Sequence, residues 1–169
     1  MNRTPLLDAI CADLLKNGLA HTILLYGSRA NGTENKDSDY DIAAFGNRTE
    51  TVRDARIVQG EFLDIFLYPE SLLKSASEDY LKLRQSVVLL QREHEADEFL
   101  NSLETIFERG PKPLPGDEIL ARKTWAWKMV LRSARGDVEG NYRRVWLLTA
   151  LLEDYFVIRG RWFEGPKKS

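Results

Sequence analysis

The stretch Leu25-Tyr26-Gly27-Ser28-Arg29-Ala30-Asn31-Gly32-Thr33-Glu34-Asn35-Lys36-Asp37-Ser38-Asp39-Tyr40-Asp41-Ile42 decides how this chain folds. It follows a short apolar run from Ile23, too short for a helix and closed by Gly27-Ser28, which reads as a buried strand and a tight turn. Gly27 lets backbone approach a ligand closely, and Ser28 adds a hydroxyl beside the free amides of a helix start, a ready anion site. Asn31 to Ser38 is polar and glycine-containing, hence a loop. From Asp39 to Phe45 the pattern alternates, with Asp39, Asp41, Ala43 and Phe45 on one face and Tyr40, Ile42 and Ala44 on the other.

Two carboxylates at i and i+2 on one strand face stand roughly 6.6 Å apart. At an effective dielectric of 20 they repel by about 2.5 kcal/mol. A divalent cation between them turns that cost into an oxygen-rich site of the kind magnesium favours. Asp64 adds a third acid, on the strand face it shares with Phe62 and Phe66, where an unpaired carboxylate is costly. Three carboxylates on adjacent strands can hold the two metals used for in-line displacement at phosphorus.

Around this segment the elements are regular. Thr4-Pro5 caps an amphipathic helix through Leu6, Leu7, Ile10, Leu14 and Leu15 that ends at Asn17-Gly18. Strands are expected at Ala55–Val58 and Glu61–Leu67, joined by a hairpin turn at Gln59-Gly60. Pro69 to Arg84 has helical spacing, and Val87–Leu90 is either a fifth strand or the end of that helix. Ala96 to Phe107 is helical, Gly110 to Gly116 breaks the chain, and two long helices follow at about 117–135 and 139–159. The second is apolar nearly all round, so it is expected to pack on several sides, against another subunit or against helices absent from this chain.

Composition narrows the function classes. The 169 residues carry 24 Lys+Arg and 26 Asp+Glu, with 43% hydrophobic and 30% charged residues, which fits a globular protein. The first part is net acidic and residues 116–169 are net basic, as suits metal on one side and phosphate on the other, although ordinary surface variation gives the same sum. The interleaved acids argue against generic nucleic-acid binding. One cysteine, Cys11, excludes an internal disulfide and a multi-cysteine metal site. No apolar run approaches a membrane span and Asp8 and Asp13 interrupt the N-terminal apolar stretch, so a cytoplasmic address is expected.

Other motifs fail on inspection. Asp37-x-Asp39-x-Asp41 opens like a calcium loop, but Ile42 stands where glycine is needed and Arg48 where the closing glutamate belongs. Gly160 and Gly165 have P-loop spacing without the lysine. His21 and His94 are too isolated for zinc. The four tryptophans suit core or partner contacts better than base stacking. Arg122, Lys123, Lys128, Arg132, Arg135, Arg143 and Arg144 form a basic set that is either a solvated face or a contact for triphosphate or acceptor.

Gly27-Ser28, then Gly32, then Ser38-Asp39-x-Asp41, then Asp64 on a later strand resembles the nucleotidyltransferases of the DNA polymerase β superfamily, especially the minimal nucleotidyltransferases and the kanamycin nucleotidyltransferase group. The motif covers about a quarter of the chain. The resemblance implies an α/β (α+β) fold: a mixed-sheet catalytic domain with flanking helices over residues 1–112, followed by a helical domain over 113–169. It implies two Mg²⁺ ions with ATP as donor, Asp39, Asp41 and Asp64 as metal ligands and catalytic residues, and Gly27, Ser28 and Ser38 as nucleotide contacts. By the same resemblance Arg161 of the helical part would contact the phosphates, and the family's catalytic glutamate falls at Val157, which leaves Glu153, one turn earlier and the nearest acid, as the candidate for that catalytic role. The implied reaction transfers AMP to a hydroxyl of a small acceptor and releases pyrophosphate. The alternative is an antitoxin-like protein that binds or adenylylates a protein partner.

Overall fold

A computed structural model describes residues 4–165. The chain divides into two compact units, Met1–Glu108 and Arg109–Ser169. Among the described residues no helix is long and apolar enough to cross a membrane.

The first unit is built on one five-stranded sheet of order β3-β4-β2-β1-β5. The strands are β1 (Thr22–Tyr26), β2 (Tyr40–Gly46), β3 (Val52–Val58), β4 (Glu61–Pro69) and β5 (Val87–Leu90). Only β2 and β4 run parallel; the β1–β2, β3–β4 and β1–β5 pairs are antiparallel, so the sheet is mixed. Every residue of β1 is buried, which explains its unbroken apolar run: an inner strand is covered on both faces and has no polar side to show. One face, with Ile23, Leu25, Ile42, Ala44, Leu63 and Ile65, packs against helix α1 (Pro5–Lys16). The other, with Leu24, Ala43, Phe45 and Tyr68, packs against Leu73, Leu83 and the apolar stripe Ala96-Phe99-Leu103 of helix α3 (Glu95–Arg109). Thr4 caps α1, its hydroxyl accepting from the Leu7 amide, and Pro5 opens the first turn. Cys11 is buried and forms no disulfide.

Two local readings change, and one open alternative is settled. Strand β2 starts at Tyr40 and not at Asp39, and the Ser38 and Asp39 carbonyls before it accept from the Arg29 guanidinium. Residues 70–83 form two short 3₁₀ turns, Glu70–Lys74 and Glu78–Leu83, and not one helix, so apolar spacing there reports Leu73 and Leu83 buried in the core with Leu72, Ala76 and Tyr80 packed against it. Val87–Leu90 is a strand, held by β1 at the sheet edge. The turn at Gln59-Gly60 has both residues at positive φ (55° and 84°), as a two-residue hairpin requires, and β3 reaches back to Val52.

The second unit is a helical hairpin of α4 (Gly116–Ser133) and α5 (Val138–Ile158), the latter capped by the Asp137 carboxylate accepting from the Gly140 amide at 2.7 Å. Gly140 packs on the Arg132 carbonyl, Trp125 meets Trp146 edge-on at 5.2 Å, and Arg122 bridges Glu118 to Asp154. Only Met129, Gly140 and Leu147 are buried along these two helices. Val138, Tyr142, Val145 and Leu148 are exposed along a 4-3-3 stripe of α5, so the expected packing on several sides of α5 is absent from the described residues.

Candidate active site

The site is set by sheet register. Tyr26 of β1 stands opposite Asp41 of β2, Asp41 beside Asp64 of β4, and Asp64 opposite Ala55 of β3. One row across the sheet thus reads Tyr26, Asp41, Asp64, Ala55. The next row reads Leu24, Ala43, Phe66, Arg53. Both carboxylates lie on the face whose inner part is closed by α3, at the point where β1 turns into a one-turn helix, α2 (Gly27–Asn31).

Gly27 has φ +74°, and a Cβ there would collide with the Asp41 carboxylate. The sequence therefore needs glycine twice over, for the left-handed backbone and for the close approach of that oxygen. Gly32, also left-handed, ends α2 in open space. The neighbouring charges act on Tyr26: burial first, then the Asp41 charge, with smaller effects from Tyr68 and Asp64, push its phenol well above the ordinary tyrosine range. It remains a neutral hydroxyl at physiological pH. Tyr68 shifts the same way, chiefly through burial.

Three basic residues that the sequence reading did not assign complete the surroundings. Arg29 stacks on the Tyr40 ring at 3.8 Å, donates to the Ser38 and Asp39 carbonyls, and pairs with Glu61 at 2.7 Å. It ties the approach to β2 against the start of β4. Arg53 grips Asp64 with both arms of its guanidinium, Nε to Oδ1 at 2.7 Å and Nη2 to Oδ2 at 2.9 Å. Lys82 places its ammonium over the Phe66 ring at 4.4 Å and the Tyr26 ring at 5.5 Å. The signal for Arg53 was present, because a two-residue hairpin at Gln59-Gly60 fixes Arg53 opposite Phe66 and diagonal to Asp64. Nothing local to Lys82 announces its place.

The structure brings Gly27, Ser28, Asp41 and Asp64 together at one end of the β1–β2–β4 core. Asp39 lies one residue before β2 and is exposed, so it does not share a regular strand face with Asp41. The Ser38 hydroxyl accepts from the Asn35 amide at 2.9 Å within the loop. Glu153 and Arg161 belong to the second unit and are both exposed there.

An all-oxygen donor set of Asp39, Asp41 and Asp64 fits a hard divalent cation in kind, and the bare Cα of Gly27 lets the Asp41 carboxylate pack directly against the turn. Among the described residues no three His, Cys, Asp or Glu side chains converge on one point. The charge of Asp64 is met instead by Arg53.

No curated protein gives a significant match to the chain. A nucleotidyltransferase-like protein from Exiguobacterium sibiricum 255-15, whose crystal structure is known, is similar at 11% identity and a TM-score of 0.46. That similarity covers 92% of this chain and 57% of the other, so the chain spans little more than half the length of that protein. The family model described as polymerase beta, nucleotidyltransferase matches residues 11–102, from within α1 to within α3. This is 92 of the 169 residues and contains the whole sheet, the Gly27-Ser28 turn and all three aspartates. The chain belongs to the polymerase β nucleotidyltransferase family.

Proposed function

We propose that this protein transfers a nucleoside monophosphate, AMP from ATP, to a hydroxyl of a small acceptor. The observation that carries the reading is the side-by-side register of Asp41 and Asp64 next to the Gly27-Ser28 turn. In this reading Gly27 and Ser28 bind triphosphate oxygens through backbone amides and the serine hydroxyl. Asp39, Asp41 and Asp64 would hold Mg²⁺, which when bound neutralises charge on the phosphates. Arg29 keeps the loop carrying Asp39 at a fixed distance from β2.

Asp64 orients the acceptor hydroxyl toward the α-phosphorus. The acceptor oxygen forms a bond to that phosphorus while the bond to the bridging oxygen breaks. Pyrophosphate leaves with the electron pair, and the hydroxyl proton passes to a carboxylate. Positioning and charge neutralisation supply most of the rate. The roles assigned to Glu153 and Arg161 rest on the family resemblance alone.

A second reading, in which a protein partner is bound or supplies the acceptor hydroxyl, is favoured by the exposed stripe Val138-Tyr142-Val145-Leu148 on α5. Pyrophosphate release tests both. ATP and Mg²⁺ with an array of hydroxylated small molecules should give acceptor-dependent release that is lost in Asp41→Asn. Release that persists in that variant, or that no acceptor stimulates while a co-purifying protein becomes labelled, rejects the small-acceptor reading.

A further inference from the structure

Asp64 is held in a way that its position alone does not require. Its carboxylate is only 17% exposed, whereas the Arg53 side chain that grips it is 61% exposed. The carboxylate is therefore the fixed member of the pair and the guanidinium the movable one. Ala55, directly opposite Asp64, is too small to cover it, and this leaves the diagonal path open along which Arg53 reaches across from its place opposite Phe66. Arg53 also stands beside the Phe66 ring, its guanidinium carbon 5.4 Å from the centroid, a surface it can keep when it leaves the carboxylate. Two carboxylates, Asp41 and Asp64, stand in register on adjacent strands, and Arg53 bonds both oxygens of Asp64.

We propose that Arg53 is a built-in stand-in for a divalent cation at Asp64: it satisfies the carboxylate in the resting protein and must swing away before a second cation can bind there. The inference rests on the reading of Asp41 and Asp64 as cation ligands. It makes the Asp64 position weaker for metal than its carboxylate alone would be, so that the second cation enters late. Arg53 acts here as a positioning residue through Asp64 and not as a catalytic one. An arginine in this place lowers affinity through competition, since the same two oxygens cannot accept a bidentate guanidinium and ligate a metal at full strength together.

The test is Mn²⁺ titration of the full chain without nucleotide, followed by electron paramagnetic resonance of free Mn²⁺ and by calorimetry. Wild type, Arg53→Ala, Arg53→Lys and Asp64→Asn are compared, with Asp41→Asn as the control for the site itself. The account expects the weaker of two Mn²⁺ sites to tighten roughly three- to tenfold in Arg53→Ala. Arg53→Lys, which keeps the charge but loses the fork, should fall between wild type and Arg53→Ala. Combining Arg53→Ala with Asp64→Asn should remove the gain. Equal affinities in wild type and both Arg53 variants, with Mn²⁺ still lost in Asp41→Asn, would overturn the stand-in role and leave the site reading intact. Weaker Mn²⁺ binding in Arg53→Lys would also overturn it, because Arg53 would then be organising Asp64 for metal. Mn²⁺ binding to none of the proteins, or binding indifferent to Asp41→Asn, overturns the site reading and this inference together.

Discussion

The Asp41 carboxylate lies so close to the Cα of Gly27 that no side chain fits between them. This one contact links the turn after β1 to the first acid of β2 and explains why the two must be read together. Gly27→Ala is expected to force the left-handed backbone and push Asp41 aside at once. A shift of that kind should lower turnover by about a hundredfold. Gly32→Ala meets open space and should cost only roughly 1 kcal/mol through its backbone conformation, with nucleotide affinity unchanged. Thermal melts and nucleotide titrations of the two variants check the contrast.

Arg29 carries a different load. Its guanidinium is mostly buried and holds two carbonyls, one carboxylate and one aromatic face. Arg29→Ala should leave the Ser38 and Asp39 carbonyls without that donor and cost about 1–3 kcal/mol in denaturant unfolding. Nucleotide affinity should fall roughly tenfold, because Asp39 loses its tether. A stability loss with unaltered affinity would show that Arg29 supports only the fold.

Phe99 sets the position of α3. It is fully buried, meets Phe45 edge-on at 5.6 Å and lies near Tyr80 at 6.5 Å. Phe99→Ala should destabilise the first unit by about 3–5 kcal/mol. Chemical denaturation followed by far-ultraviolet circular dichroism measures it, and a loss below 1 kcal/mol would contradict the packing described.

At the opposite end of β1, His21 joins Glu70 at 2.9 Å, and Arg92 reaches the same carboxylate at 3.0 Å. These bonds, His21 first and then Arg92, hold the Glu70 carboxyl below its usual range. A depressed carboxyl pKa adds stability that is present above the unfolded value of 4.5 and is lost as pH falls through the folded value. Wild type should therefore lose stability on acidification below about pH 4.5 more steeply than Glu70→Gln. Melting temperatures from pH 6 to pH 3 give the comparison, and parallel curves would contradict it.

Much of the first unit was legible in the sequence because its signals are local. Gly27-Ser28 marks a turn that only a strand-to-helix joint explains, and Gln59-Gly60 fixes the β3–β4 hairpin with its register. What escaped depends on contacts far apart in the chain. Asp39 falls just outside β2, and its carbonyl accepts from an arginine ten residues earlier. Residues 70–83 carry helix-like spacing but are shaped by Leu73 and Leu83 reaching one core, not by a continuous helix. The three acids were expected on adjacent strands, but the parallel direction and register that set Asp41 beside Asp64 join strands separated by β3, and the residues of neither strand announce them.

The central claim is that the acids after the Gly27-Ser28 turn form a metal-dependent nucleotide site. Calorimetric titration of ATP, GTP, CTP and UTP, with and without Mg²⁺, into wild type and the Asp39→Asn/Asp41→Asn double variant tests it most directly. The account predicts that one nucleotide, ATP, binds wild type only with Mg²⁺, and that the double variant keeps its melting transition but loses that binding. Nucleotide binding that is the same in both proteins, or that ignores Mg²⁺, would contradict it.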